Sequence, residues 1–290
     1  MTEVVDLATG RRGGNGGGGG GGGGQAAPAG DGDPGDLPAG VWPTPTALAM
    51  VAVAEACCEA GQIGMVTGPS GVGKTTGARA AVAVAHAAEH DATYVALTRA
   101  TDGIQPGLAR IAVAVGAAER GTNLSAGALH DAVVSRFRGF GRGRLRDAAL
   151  VVVDEAQYAS DTLLHALRDV WDDLDGHESA LGLVLVGTSD LSDRVNGRGA
   201  KARGFAPLRG RLGTAVELPA PDADDAAAVA RHLGLAGRQE TEIIARAARA
   251  SGGLHNVRRL LAQARMLARE GEPVGPGHLR RAADVKGIAA

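Results

Sequence analysis

The chain has 290 residues and a formal net charge of -2, enough length for one large domain or two small ones and no global pull towards nucleic acid or membrane. Its aromatic content of 2% argues against base-stacking platforms as a main mode of nucleic-acid binding. No apolar stretch reaches the ~18 uncharged residues of a membrane span, and Met1 to Arg12 has no apolar signal core. Cys57 and Cys58 are adjacent and have no His or Cys partner near them, which disfavours both a disulfide and a zinc site. Reduced thiols in a cytoplasmic protein are therefore expected.

Residues 1–43 read as a disordered tail, because the unbroken glycine run Gly16 to Gly24 and the Pro/Gly/Asp-rich stretch after it offer nothing to offset the entropy of ordering. Thr44-Pro45-Thr46 opens a helix that runs over Ala47 to Ala60 and stops at Gly61. A strand is expected over Ile63 to Thr67, a helix over Thr76 to Glu89, a second strand over Ala92 to Thr98, and helices over Gly107 to Val115 and Ala126 to Phe137. A basic run follows, with Arg136, Arg138, Arg142, Arg144 and Arg146. Ala149 to Val153 is then a continuous apolar strand, of the kind a parallel sheet covered on both faces requires. A helix over Asp161 to Leu174 and a buried strand over Leu181 to Val186 come next. A basic, loop-rich segment from Arg194 to Arg211 leads to a short strand at Thr214 to Leu218. Beyond Pro219 and Pro221, helices are expected over Ala223 to Leu233, Gln239 to Ala250, Asn256 to Glu270 and Pro276 to Val285. The order describes an α/β nucleotide domain with a parallel sheet over residues 44–220 and a small all-helical lid over 221–290.

The stretch Gly68-Pro69-Ser70-Gly71-Val72-Gly73-Lys74-Thr75, followed by Thr76, satisfies G-x-x-x-x-G-K-[ST] at every fixed position. Its glycines let consecutive N–H groups turn inward as an anion nest, and the helix starting near Lys74 places the positive end of its dipole beneath the phosphates. Lys74 would reach the β- and γ-phosphates of ATP, and the Thr75 hydroxyl would complete a Mg²⁺ shell. The bland alternative is a chance glycine-rich turn. Asp154 and Glu155, at the end of the apolar strand, suit the roles of Mg²⁺ holder and general base, against the reading of a surface acidic pair. Thr188 could sense the γ-phosphate, or could be an ordinary N-cap for a helix from Asp190 to Val195. Arg211, or Arg209, could serve a neighbouring subunit's γ-phosphate as an arginine finger, against the reading of a solvated basic turn. The clusters at 136–146 and 194–211 could neutralise phosphates of duplex DNA without reading bases, with Arg198, Lys201 and Arg203 as the candidate contacts, or could simply be solvated faces.

Together these features resemble the AAA+ ATPases, and within them the phage MuB-type transposition ATPases and their TnsC/TniB relatives. The likeness is carried by Ile63 to Gly68, Asp154-Glu-Ala-Gln157, Leu183 to Thr188, Phe205 to Gly213 and Ser251 to Arg258. The resemblance implies an ATPase with ATP and Mg²⁺ as cofactors that forms homo-oligomers on duplex DNA and acts with a transposase. It places Thr188 at sensor 1 and Arg211 at the finger. Thr188 stands where family members often have Asn, and the lid motif carries Arg258 and Arg259 rather than an arginine near His255 or Asn256. A secretion or assembly ATPase of the ExeA kind, or a nucleotide-gated scaffold, are the other readings.

Overall fold

The structure is a computed structural model, which describes residues 37–138, 148–175, 181–197, 204–235, 237–270 and 272–286. Its first element, α1 (Pro45–Ala60), shows how local chemistry sets the boundaries. The Thr44 hydroxyl accepts from the Ala47 N–H at 3.2 Å, and Pro45 follows where a missing N–H costs nothing. Gly61, at φ 58°, closes the helix in the left-handed region.

Five strands follow in one parallel sheet: β1 (Ile63–Thr67), β2 (Asp91–Ala96), β3 (Ala149–Asp154), β4 (Leu181–Gly187) and β5 (Leu212–Glu217). Their spatial order is β2-β3-β4-β1-β5. The three central strands are buried at every position, which is why they read as unbroken apolar runs. Their side chains alternate between two cores. Leu150, Val152, Val184 and Val186 face α1 and α2 (Lys74–Ala87), packing with Met50, Val53, Ala78 and Ala81. Val151, Val153, Leu183 and Leu185 face the other way, against Leu108 of α3 (Ile104–Ala114), Val133 of α4 (Ala126–Phe137) and Leu163 of α5 (Asp161–Asp175).

After β4 come α6 (Ser189–Asn196) and the short α7 (Ala206–Arg209). Part of the segment expected to be basic loop is thus helical. The end of the chain forms α8 (Ala223–His232), α9 (Arg238–Arg249), α10 (Leu254–Leu267) and α11 (Pro276–Lys286) around a third core of Val229, Ile244, Val257, Leu260 and Leu279. Trp42, counted with the tail in the sequence, packs against this third core. The glycine run, Arg142, Arg144, Arg146 and the DNA candidates Arg198, Lys201 and Arg203 lie outside the described residues.

Candidate nucleotide site

The sheet order puts β1 between β4 and β5, so the loop after β1 opens at the carboxyl ends of the strands where the chain changes direction. That is where parallel α/β sheets hold ligands. In this loop Gly71 and Gly73 take φ of 84° and 102°, a left-handed backbone that turns N–H groups towards one point. The Lys74 ammonium folds back over the loop, donating to the carbonyls of Gly68 at 2.8 Å and Pro69 at 2.7 Å. Burial pulls its pKa below the ordinary lysine value, and the nearby carboxylates of Glu155 and Asp154 oppose that shift.

Asp154 ends β3 and is 2% exposed, yet both its oxygens are satisfied. Oδ1 accepts the Glu155 N–H at 2.8 Å; Oδ2 accepts the Thr75 hydroxyl at 2.7 Å and the Tyr94 hydroxyl at 2.8 Å. Burial and then the hydrogen bond to Asp154 push the Tyr94 phenol up to about 12, so it remains a donor. Glu155 sits at φ 56°, a backbone rare for a residue with a Cβ, and its carboxylate accepts from the Gln157 side-chain amide. The Gln157 side-chain oxygen Oε1 in turn accepts the Thr188 N–H at 3.3 Å. Thr188 stands at the N-cap position of α6, but its hydroxyl makes no cap bond; Oγ1 is buried without a hydrogen-bond partner.

A cleft of ≈ 230 Å³ gathers Ser70, Gly71, Gly73, Lys74, Thr75, Thr76, Glu155 and Thr188 in its lining. Of the other expected binding residues, Gly68 is buried and holds Lys74 through its carbonyl, Val72 is core, Asp154 lies behind Thr75, and Pro69 lines a neighbouring groove. The remaining lining was not assigned from the sequence: Trp42, Thr44, Ala47, Leu254, His255 and Arg258. The Arg258 guanidinium lies 5.9 Å from the Trp42 ring centroid. Only the rarity of tryptophan, present at two positions in the chain, could have marked Trp42 out.

The arrangement suits a magnesium nucleotide. The glycine cradle and Lys74 supply fixed positive potential for phosphates, and the orphaned Thr188 hydroxyl is a polar group awaiting a partner. Thr75 and Asp154 are hard oxygen donors, and among the described residues no group of three or more His, Cys, Asp or Glu could hold a metal. Such a pair matches a cation that takes its remaining ligands from water and phosphate.

Arg209 and Arg211 lie away from this cleft. Arg211 directly precedes Leu212, which pairs with Ile63 at the start of β1, so its backbone sits about 20 Å down the sheet from the phosphate loop at roughly 3.3 Å per residue. It donates to the Asp172 carboxylate and to the Pro207 carbonyl at 3.1 Å, while Arg209 donates to the Val195 carbonyl at 2.6 Å. Arg136 pairs with Asp91, and Arg194 holds the carbonyls of Gln157 and Ala159 together with Asp161. These four arginines of the two basic clusters therefore have partners inside the chain.

Sheet and site together define a P-loop domain of the AAA class, and residues 58–195 match the family model described as AAA domain. Residues 210–285 match a second model, Mu B transposition protein, C terminal, so the chain carries an AAA domain followed by a stretch that matches the MuB C-terminal domain. Among solved structures it is similar to Cdc6p from Pyrobaculum aerophilum, at 15% identity and a TM-score of 0.59, over 87% of this chain and 70% of that one. It is also similar to Drosophila ORC bound to DNA, at 14% identity and a TM-score of 0.53, over 91% of this chain and 69% of that one. At such identities the likeness speaks for the fold. No curated protein matches the sequence. Among the described residues no helix is long and apolar enough to cross a membrane.

Proposed function

We propose that this protein is an ATP-dependent, DNA-binding AAA+ ATPase that assembles on duplex DNA and acts as a MuB-like target-selection or transposase-activating protein. The observation that supports it most is one juxtaposition: the phosphate loop, Thr75 with Asp154 behind it, Glu155 and the orphaned Thr188 hydroxyl meet at a cleft that Leu254, His255 and Arg258 of α10, within the stretch matching the MuB C-terminal model, also line. Bound MgATP would supply the electrophilic phosphorus and a cation to spread charge over the leaving group. The protein's part is positioning. The loop N–H groups and Lys74 hold the phosphates, Thr75 and Asp154 hold the cation's shell, Glu155 accepts a proton from the attacking water, and Thr188 hydrogen-bonds near the γ-phosphate.

Lys74 is bound to its own loop carbonyls and must leave Gly68 and Pro69 to meet a phosphate. A trans finger is supported by topology, because Arg211 lies at the far end of the sheet from its own cleft. DNA contact is assigned to Arg198, Lys201 and Arg203, since Arg136, Arg194, Arg209 and Arg211 are engaged within the chain. The MuB C-terminal match favours this reading over an ExeA-like ATPase directed at a protein. Turnover measured with ATP alone and with plain duplex DNA is the test. Stimulation by DNA together with ATP-dependent assembly is expected; a rate indifferent to DNA and a protein that never assembles on it would favour the protein-directed reading.

A further inference from the structure

Asp154 is held from two sides, and only one of them belongs to the phosphate-loop motif. Thr75 and Arg79 lie one helical turn apart on the same face of α2. Thr75 bonds Asp154 Oδ2 at 2.7 Å, and the Arg79 guanidinium lies 5.0 Å from the centroid of the Tyr94 ring. Tyr94 returns to the same Oδ2 at 2.8 Å, which closes a circuit of four side chains linking α2, β2 and β3. The register explains how it reaches. Tyr94 pairs with Val152, two residues before Asp154 on the same face of the sheet, and a tyrosine side chain spans that step of roughly 6.6 Å.

We propose that Tyr94 is a positioning residue of the cation site: its hydroxyl, with the ring steadied by Arg79, fixes the Asp154 carboxylate for the divalent ion that Thr75 and Asp154 would share. The inference rests on the reading of Asp154 as the Mg²⁺ holder. Thr75 can keep its proton on Asp154 while its oxygen lone pair turns to a cation. The carboxylate must then stay still while a charge arrives beside it. With Oδ1 pinned by the Glu155 N–H, the Tyr94 hydroxyl is the second donor on Oδ2, and it stops the group from turning about its long axis. A carboxylate held by three neutral donors keeps its full charge for the ion, and an outer partner of this kind is worth roughly 10–100-fold in metal affinity.

Tyr94→Phe removes the hydroxyl and keeps the ring under Arg79. The full chain is loaded with a non-hydrolysable ATP analogue and titrated with Mn²⁺, the free ion being counted by electron paramagnetic resonance. Tyr94→Phe should weaken Mn²⁺ roughly tenfold, while affinity for the analogue in excess chelator and the melting temperature without metal stay at wild-type values. Wild-type Mn²⁺ affinity in Tyr94→Phe, with Asp154→Asn clearly weakened, would overturn the role of Tyr94 alone. Wild-type affinity in Asp154→Asn would instead overturn the underlying Mg²⁺ assignment. Should Tyr94→Phe fold poorly, Arg79→Met leaves the Tyr94 hydroxyl on Asp154 and removes only the guanidinium that steadies the tyrosine. A smaller Mn²⁺ loss in that variant supports the circuit, and no loss counts against it.

Discussion

The backbone N–H of Leu254 donates to the carbonyl of Gly71 at 2.8 Å, so the first turn of α10 is bolted to the phosphate loop. The contact is possible because glycine faces glycine. A Cβ on Gly253 would lie 2.5 Å from Gly71 O, and a Cβ on Gly71 would run into the carbonyl of Gly252. Gly253→Ala should therefore push the C-terminal helices off the loop and strain a residue at φ 57° and ψ -136°, at a backbone cost of about 1–3 kcal/mol. A lower melting temperature and weaker binding of a fluorescent ATP analogue are expected; unchanged nucleotide affinity would show that the two parts move independently of the ligand.

Lys74 and Glu155 should separate binding from chemistry. Lys74→Ala removes the point charge proposed to meet the β- and γ-phosphates and should abolish nucleotide binding or turnover. Glu155→Gln keeps the shape of the side chain and the Asp154 site beside it, so binding should persist while hydrolysis falls by roughly 10²–10⁴. Equilibrium binding and steady-state turnover on the same preparations decide this. Near wild-type turnover by Glu155→Gln would remove Glu155 from the role of base.

Thr188 offers a clean isosteric test, because its buried hydroxyl has no hydrogen-bond partner and makes no cap for α6. Thr188→Val should leave thermal stability equal or slightly raised, since an unsatisfied buried hydroxyl is lost and the volume is kept. If that hydroxyl serves the γ-phosphate, turnover should drop while ATP binding holds. Unaltered turnover would leave Thr188 as a helix start and nothing more.

Much of this was legible in the sequence because the signals were local. The strands Ile63–Thr67 and Ala149–Asp154 announce themselves as unbroken apolar runs, and Ala126–Phe137 matches its expected bounds. The phosphate loop is a contiguous motif whose residue types are forced by backbone geometry. What escaped was long-range. Tyr94 meets Asp154 across sixty positions of sequence, and nothing in Ala92 to Thr98 marks a side chain that points at a carboxylate. Trp42 sits beside a glycine tail whose composition masks it, and Arg258 enters the cleft only because α10 is docked on Gly71. The basic run from Arg194 reads as loop by composition, yet apolar Leu191, Val195 and Leu208 bury one face of the helices α6 and α7.

Arg211 tests whether the site is shared between subunits. In the single chain it is tied to Asp172 of α5, so service to a neighbour requires it to exchange that partner for a phosphate. Both side chains of this pair are partly exposed, and an ion pair of this kind is worth only about 0–1 kcal/mol, so the exchange is feasible. Arg211→Ala should bind ATP and hydrolyse it poorly. Mixing it with Glu155→Gln should restore part of the activity, because a mixed interface can pair an intact Glu155 with an intact Arg211. No recovery at any mixing ratio, with mixed assembly demonstrated, would count against a finger in trans.

Binding to duplex DNA should depend on assembly. A monomer of net charge -2 has little long-range attraction for DNA, and Arg136, Arg194, Arg209 and Arg211 are engaged within the chain. Phosphate contact then falls to residues such as Arg198, Lys201 and Arg203, three cations in six positions of sequence, and a few contacts per subunit bind weakly. Subunits aligned by ATP would repeat that cluster along the DNA and multiply the contacts. Affinity measured by fluorescence anisotropy should therefore be high with ATP, low with ADP, and nearly indifferent to base sequence. It should fall with salt at a slope of roughly 0.9 per phosphate neutralised. Replacing Arg198, Lys201 and Arg203 with Ala should flatten that slope without touching ATP binding in the absence of DNA. Equal, weak binding in both nucleotide states would sink the DNA reading and leave an ATPase directed at a protein partner.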